Sequence, residues 1–234
     1  MNPILVALDL DSEDAAVALA RRLRGTVGGF KIGSQLFTAA GPTVVRALVD
    51  EGDRVFLDLK FHDIPNTVKG SVEAAARLGV WMLNVHASGG VAMMAAAREA
   101  AERGAAGGTR PLVIGVTVLT SMDAATLASI GIERTPLAQV VDLARLAHRA
   151  GLDGVVASPL ETRAIQDACG PAFVIVTPGI RGAEAQSGPD AQQRTLSPVD
   201  AMAAGSSFLV IGRPITGAAD PRAAAERIAA SLHM

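Results

Sequence analysis

Residues 56–67 read FLDLKFHDIPNT, and within them Asp58, Lys60 and Asp63 stand within six positions of one another at the end of a segment otherwise composed like a buried strand. Side chains two apart on a strand share a face, about 6.6 Å from one another. Asp58 and Lys60 therefore look one way while Leu57 and Leu59 look the other, so an acid and an ammonium share one pocket wall. Asp63 falls past the strand, where His62 and Pro65 mark a turn into a helix. From there its carboxylate either comes back toward the same region or reaches a neighbouring chain. A strand that ends in charges and turns into a helix is one βα unit.

The rest of the chain repeats that unit. Short β-branched runs recur about every 25 to 30 residues, with Ala-rich stretches of helical period between them. Strands are expected over residues 4–8, 30–33, 54–59, 82–86, 112–118, 154–157, 173–177 and 208–211, and helices over 14–24, 42–51, 68–78, 91–103, 137–150, 161–168, 198–204 and 221–232. Eight such units with no composition break or Gly/Ser linker predict an α/β protein, a single (β/α)8 TIM barrel spanning residues 1–234. An open sheet with a dinucleotide site would need a glycine fingerprint after the first strand, where the chain gives Asp9, Leu10, Asp11 and Ser12.

The residues at the strand ends are more telling. Asp9 comes after the first strand, Lys31 sits in the second, Asp58 and Lys60 close the third, and Asn84 and His86 close the fourth. Thr117 and Thr120 mark the end of the fifth, Ser158 the sixth, Thr177 and Arg181 the seventh, and Arg213 the eighth. In a barrel all these ends face one mouth, where barrel active sites lie. Lys31, Asp58, Lys60 and the nearby Asp63 alternate in sign, the arrangement in which all four stay ionised in a water-poor pocket. A structural ion pair plugging the barrel is the plainer alternative. The other half of the mouth reads as a phosphate site. Gly179, Ile180 and Arg181 come after one strand and Ile211, Gly212 and Arg213 close the next, where barrels bind phosphate and paired arginines clamp it. Residues 182–194, GAEAQSGPDAQQR, form a long connection beside those arginines and read as a lid.

Composition narrows the function further. With 21 basic and 23 acidic residues, a net charge of −2, six Phe, one Trp and no Tyr, the chain lacks the basic footprint and the stacking surface of a nucleic-acid binder. A lone Cys169 on a helical stretch fits a reducing compartment. There is no signal-peptide pattern at the start and no apolar run of the roughly 18 to 20 residues that span a membrane. The expectation is a cytoplasmic protein without membrane or nucleic-acid partners. His62, His86, His148 and His233 form no ligand-spaced pair, so no metal site is expected. A Schiff base on Lys31 or Lys60 is conceivable, but the flanking acids favour the charged amines.

The run DLKFHDIPNTV over residues 58–68 resembles the signature of the orotidine 5′-phosphate decarboxylase family, which catalyses the last step of de novo pyrimidine synthesis. ALDL at 7–10, FKIG at 30–33, NVHASGG at 84–90, VTVLTSM at 116–122, VTPGIR at 176–181 and VIGRPIT at 210–216 extend the resemblance over nearly the whole chain in order. It implies a cofactor-free carboxy-lyase that converts orotidine 5′-phosphate to uridine 5′-phosphate and works as a homodimer. Lys60 then resembles the proton donor, with Lys31 and Asp58 in the charged array and Asp63 supplied by the second subunit. Asp9 and Lys31 are expected on ribose hydroxyls, Thr67 across the dimer, Thr120 on the pyrimidine and Pro178 near the ring, with Arg181, Gln192, Gly212 and Arg213 around the phosphate. The lid departs from the family by lacking an adjacent Asp-Gln pair. It offers Asp190, Ala191, Gln192 and Gln193; counting back from Arg194 and Pro198 favours Gln192 over Gln193.

The residues alone agree with this chemistry. Loss of CO2 from a pyrimidine leaves an in-plane carbanion with no electron sink, so catalysis without a cofactor rests on preorganised charge in a dry site. The rival readings are a metal-dependent sugar-phosphate decarboxylase or aldolase on a related barrel, and a catalytically silent phosphate-binding barrel.

Overall fold

The computed structural model describes residues 1–180 and 196–232. Among them, eight parallel strands close into a barrel in chain order: β1 Ile4–Ala7, β2 Gly29–Gly33, β3 Val55–Phe61, β4 Met82–His86, β5 Leu112–Val116, β6 Gly154–Val156, β7 Val174–Thr177 and β8 Phe208–Ile211. The helices outside them are α1 Glu13–Leu23, α2 Ser34–Ala40, α3 Thr43–Asp50, α4 Pro65–Ala76, α5 Gly90–Gly104, α6 Ala124–Ser129, α7 Pro136–Arg149, α8 Thr162–Cys169, α9 Pro198–Ala203, α10 Arg213–Thr216 and α11 Pro221–Ser231. No helix among the described residues is long and apolar enough to cross a membrane.

The barrel expected from the sequence is present, with differences that have local causes. α2, α6 and α10 add to the expected helices; α2 is set off from α3 by Gly41 at φ 70° and by Pro42. α4 begins at Pro65, not at residue 68, because Ile64 is extended and proline fits the first helical turn without needing its missing N–H. β3 runs on to Phe61, two residues past its expected end, and its pairing with β4 shifts register between Leu57 and Phe61.

Alternation along the strands builds two apolar layers. Leu5, Ala7, Phe56, Met82, Ile114, Val176 and Val210 point to the barrel axis and fill it. Their neighbours Ile4, Val6, Phe30, Ile32, Val55, Leu57, Leu83, Val113, Ile175 and Leu209 point outward into the sheath of helices. Helix starts are capped in the usual way: Ser12, Thr135 and Ser197 accept the amides of Ala15, Ala138 and Asp200. At the N-terminal end of the barrel Trp81 and Phe208 meet edge to face at 5.0 Å. Bidentate pairs tie the strand starts there: Arg24 donates to Asp53 at 2.8 and 2.6 Å, and Arg110 to Asp153 at 2.7 Å on each oxygen.

Gly154 shows how tightly this end is packed. A Cβ there would lie 2.1 Å from the carbonyl oxygen of its pairing partner Val174 and 2.7 Å from that residue's Cβ. Backbone, not a flexible side chain, would have to yield. Gly154→Ala is therefore expected to destabilise the fold by about 3 kcal/mol, read as a lower urea midpoint at an unchanged denaturant slope.

Candidate active site

A cavity of about 460 Å³ opens at the C-terminal ends of the strands, a size suited to a small organic ligand. Its floor is the top of the axial core, Ala7, Phe56, Val116, Val156, Val176 and Val210. One wall carries Asp9, Lys31, Asp58 and Lys60, from β1 to β3; Gly179, Ile180, Gly212, Arg213 and Pro214, from the ends of β7 and β8, form the other. Val118, Leu119, Thr120 and Ser121, after β5, and Pro178, after β7, complete the lining.

The charged wall is a linear chain of alternating sign. Lys31 Nζ donates to Asp9 Oδ1 at 3.0 Å and stands 3.6 Å from Asp58 Oδ2, and Lys60 Nζ donates to Asp58 Oδ1 at 2.6 Å. Lys31 is the buried member, its side chain 9% exposed against 38% for that of Lys60. Lys31 pairs in register with Ala7 and Phe56, so its stem leaves the apolar layer and lifts the ammonium to the mouth. Stranding such a buried charge by removing its partners costs about 3 to 5 kcal/mol, which explains why acids flank it on both sides.

Two residues without charge shape this wall, and sequence reasoning assigns neither a role. Asn84, wholly buried on β4, accepts from Lys60 N at 2.8 Å through Oδ1 and donates to Asp58 Oδ1 at 2.7 Å through Nδ2. Its shared face with Met82 and His86 is the available signal. Gly33 leaves the space that Lys31 occupies: a Cβ there would sit 2.8 Å from Lys31 Nζ and 3.4 Å from Asp9 Oδ1. Lys60 itself holds φ 53°, in the left-handed region, within the stretch where β3 shifts register against β4.

Other expected residues fall elsewhere. Asp63 and Thr67 are exposed at the start of α4 and do not line the cavity of their own chain; Asp63 Oδ1 accepts from Ile64 N at 2.6 Å. Thr117 and Thr177, expected at the mouth, are on the wrong face of their strands for it. Thr117 donates to the Val156 carbonyl at 2.8 Å, and Thr177 Oγ1 shares a 2.7 Å hydrogen bond with Ser206. Ser158 is buried and accepts from Leu160 N at 3.3 Å. Arg181, Gln192, Gln193 and the rest of the expected lid lie outside the described residues. Gly179, two residues past the end of β7, has φ 76°, a conformation that favours glycine. Among the described residues no three His, Cys, Asp or Glu side chains gather to hold a metal ion.

His86 borders the charged wall, 5.3 Å from His62 between ring centroids. Burial lowers its pKa from 6.5, and the charges of His62 and Lys60 lower it further, against an opposing pull from Asp58. Folding thus favours the neutral ring. This contribution to stability is full above the unfolded value and is lost as pH falls from 6.5 toward the depressed folded value. An NMR titration is expected to place the His86 midpoint below 6.5 and to show it rising in Lys60→Ala; a midpoint that ignores the substitution contradicts this electrostatic coupling.

Comparison with known proteins gives consistent results. The sequence profile of the family described as Orotidine 5′-phosphate decarboxylase / HUMPS matches residues 2–228. A Moorella thermoacetica protein named orotidine 5′-phosphate decarboxylase is 55% identical over 236 residues, covering 100% of this chain and 93% of its own. A Pseudomonas fluorescens protein of the same name is 52% identical over 231 residues, covering 99% of this chain and 97% of its own. The crystal structure of orotidine 5′-phosphate decarboxylase from Lactobacillus acidophilus superposes with a TM-score of 0.88 at 39% identity, covering 100% of both chains.

Proposed function

The chain belongs to the orotidine 5′-phosphate decarboxylase / HUMPS family, and on that premise we propose that it is a carboxy-lyase that converts orotidine 5′-phosphate to uridine 5′-phosphate and CO2 without a cofactor. The observation that carries this reading is the Asp9, Lys31, Asp58, Lys60 chain on an apolar floor, in a cavity that Arg213 also lines. One wall suits charge that develops during reaction, and the other suits a phosphate that does not react.

Cleavage of the bond between the ring and its carboxyl group leaves the electron pair on the ring carbon. The Lys60 ammonium stabilises that charge in a low-dielectric site and then gives up a proton to form the new C–H bond. Asp58 holds this ammonium at 2.6 Å and lies against the departing carboxylate. Lys31, set between Asp58 and Asp9, keeps the array balanced while it and Asp9 hold ribose hydroxyls. Thr120 and Pro178 meet the pyrimidine. Gly212 and Arg213, with Arg181 and Gln192, take the phosphate, whose binding energy is spent on assembling the reacting geometry.

The same reading makes the protein a homodimer, with residues 1–234 forming one catalytic domain in each subunit. Asp63 and Thr67 are exposed at the start of α4 beside Ile64, which is 66% exposed. This supports a contact in which both reach the neighbouring site. The balanced charge and single cysteine support a cytoplasmic enzyme.

The purified chain is expected to deplete orotidine 5′-phosphate absorbance at the same rate with and without EDTA. A strict need for a divalent ion would move the assignment to a metal-dependent sugar-phosphate enzyme of related fold. Lys60→Ala should abolish turnover yet keep product-nucleotide binding, and mixing it with Asp63→Ala should restore activity through hybrid dimers with one intact site. No recovery despite demonstrated subunit exchange would rule out Asp63 acting across the interface.

A further inference from the structure

Asn84 does not line the cavity, so it acts on any ligand only through its neighbours. Its carboxamide orientation is fixed by chemistry: the Lys60 N–H can only donate and an ionised Asp58 can only accept, so Oδ1 must face the first and Nδ2 the second. Asp58 Oδ1 also accepts from Lys60 Nζ at 2.6 Å. Carboxylate, ammonium, Lys60 backbone and carboxamide thus form a closed ring.

The ring closes where β3 most needs support. Lys60 holds φ 53° inside the segment where pairing with β4 shifts register. A left-handed conformation is costly for a residue with a Cβ. The Lys60 N–H finds its partner in a side chain of β4. That hydrogen bond satisfies the amide and holds the conformation that directs the lysine side chain back onto Asp58.

We propose that Asn84 is a positioning residue for the decarboxylation, a reading that rests on the function proposed above. Through the amide of Lys60 it fixes the direction from which the ammonium approaches the reacting carbon, and through Oδ1 of Asp58 it fixes the carboxylate that holds that ammonium. Only a neutral group with both a donor and an acceptor serves. An alkyl side chain strands the Lys60 N–H and loses one bond to Asp58. An ionised carboxyl places two carboxylates at hydrogen-bonding distance, which is tolerated only when they share a proton.

Two variants test this. Asn84→Ala is expected to lower kcat about 100-fold, the scale of an ångström-level misplacement, while uridine 5′-phosphate affinity changes by less than about threefold. A crystal structure of Asn84→Ala is expected to show Lys60 out of the left-handed region or its ammonium off Asp58. Asn84→Asp keeps the shape, so it reads the role even if the alanine variant does not fold. Its activity relative to the parent should climb toward acid by up to about tenfold per pH unit, as the introduced carboxyl takes up the proton it can donate to Asp58. A purely structural asparagine would give the parent's pH profile merely scaled. The proposal is overturned by an Asn84→Asp profile parallel to the parent's. It is equally overturned by an Asn84→Ala structure that keeps both the Lys60 φ and the Asp58 contact. If the parent chain itself leaves orotidine 5′-phosphate intact, the proposed function falls, and the crystal structure still decides whether Asn84 holds Lys60.

Discussion

Closure of eight parallel strands sends every second strand residue to the barrel axis, and the rest of the molecule is governed by how that axis is filled. Phe56, Met82, Ile114, Val176 and Val210 occupy it with apolar bulk, so polar side chains can face inward only above them. Lys31 and Asn84 are the exceptions in register, because the first springs from the same level as Ala7 and Phe56 and the second from that of Ile114. The Lys31 ammonium needs acids within reach, and Asp9 and Asp58 meet that need from the neighbouring strands. The charge order of the mouth is in this sense a consequence of one buried lysine.

The two ends of the barrel use charge differently. At the N-terminal end Arg24 with Asp53 and Arg110 with Asp153 form forked pairs, in which the planar guanidinium and carboxylate satisfy one another. Such pairs fix strand starts. At the mouth the cations are lysines, compact point charges on flexible stems, joined by single contacts into a chain. Lys60, at the end of the chain, meets Asp58 and also lines the cavity. The forked pairs extend further, Arg24 to Glu51 and Arg110 to Glu102, but none of these groups lines the cavity, whereas every member of the lysine chain does.

Sequence exposed what depends on local pattern. β-branched runs marked the strands, and the two-residue spacing of Asp58 and Lys60 placed both at the mouth, as observed. Features that depend on register between strands were not legible. Nothing in FLDLKF announces that β3 carries extra residues against β4, that Lys60 turns left-handed there, or that Asn84 bonds to both charged residues. Thr117 and Thr177 misled for a related reason: a polar residue near a strand end counts toward the mouth only when it also has inward parity, and both lie on the outer face. Gly33 was silent because its contribution is empty space, which shows only when the lysine that fills it is in place.

The irregularity in β3 has an arithmetic side. Four steps along β3, from Leu57 to Phe61, answer to two along β4, from Leu83 to Val85. The excess is even, so Phe61 returns to the helix-facing side on which Leu57 began, and α4 starts in phase with the sheath. An excess of one would have inverted every later side chain of the strand. The tip of β3 thus carries two residues more than its partner while the barrel around it keeps its phase, and it is within this excess that Asp58 and Lys60 reach the cavity.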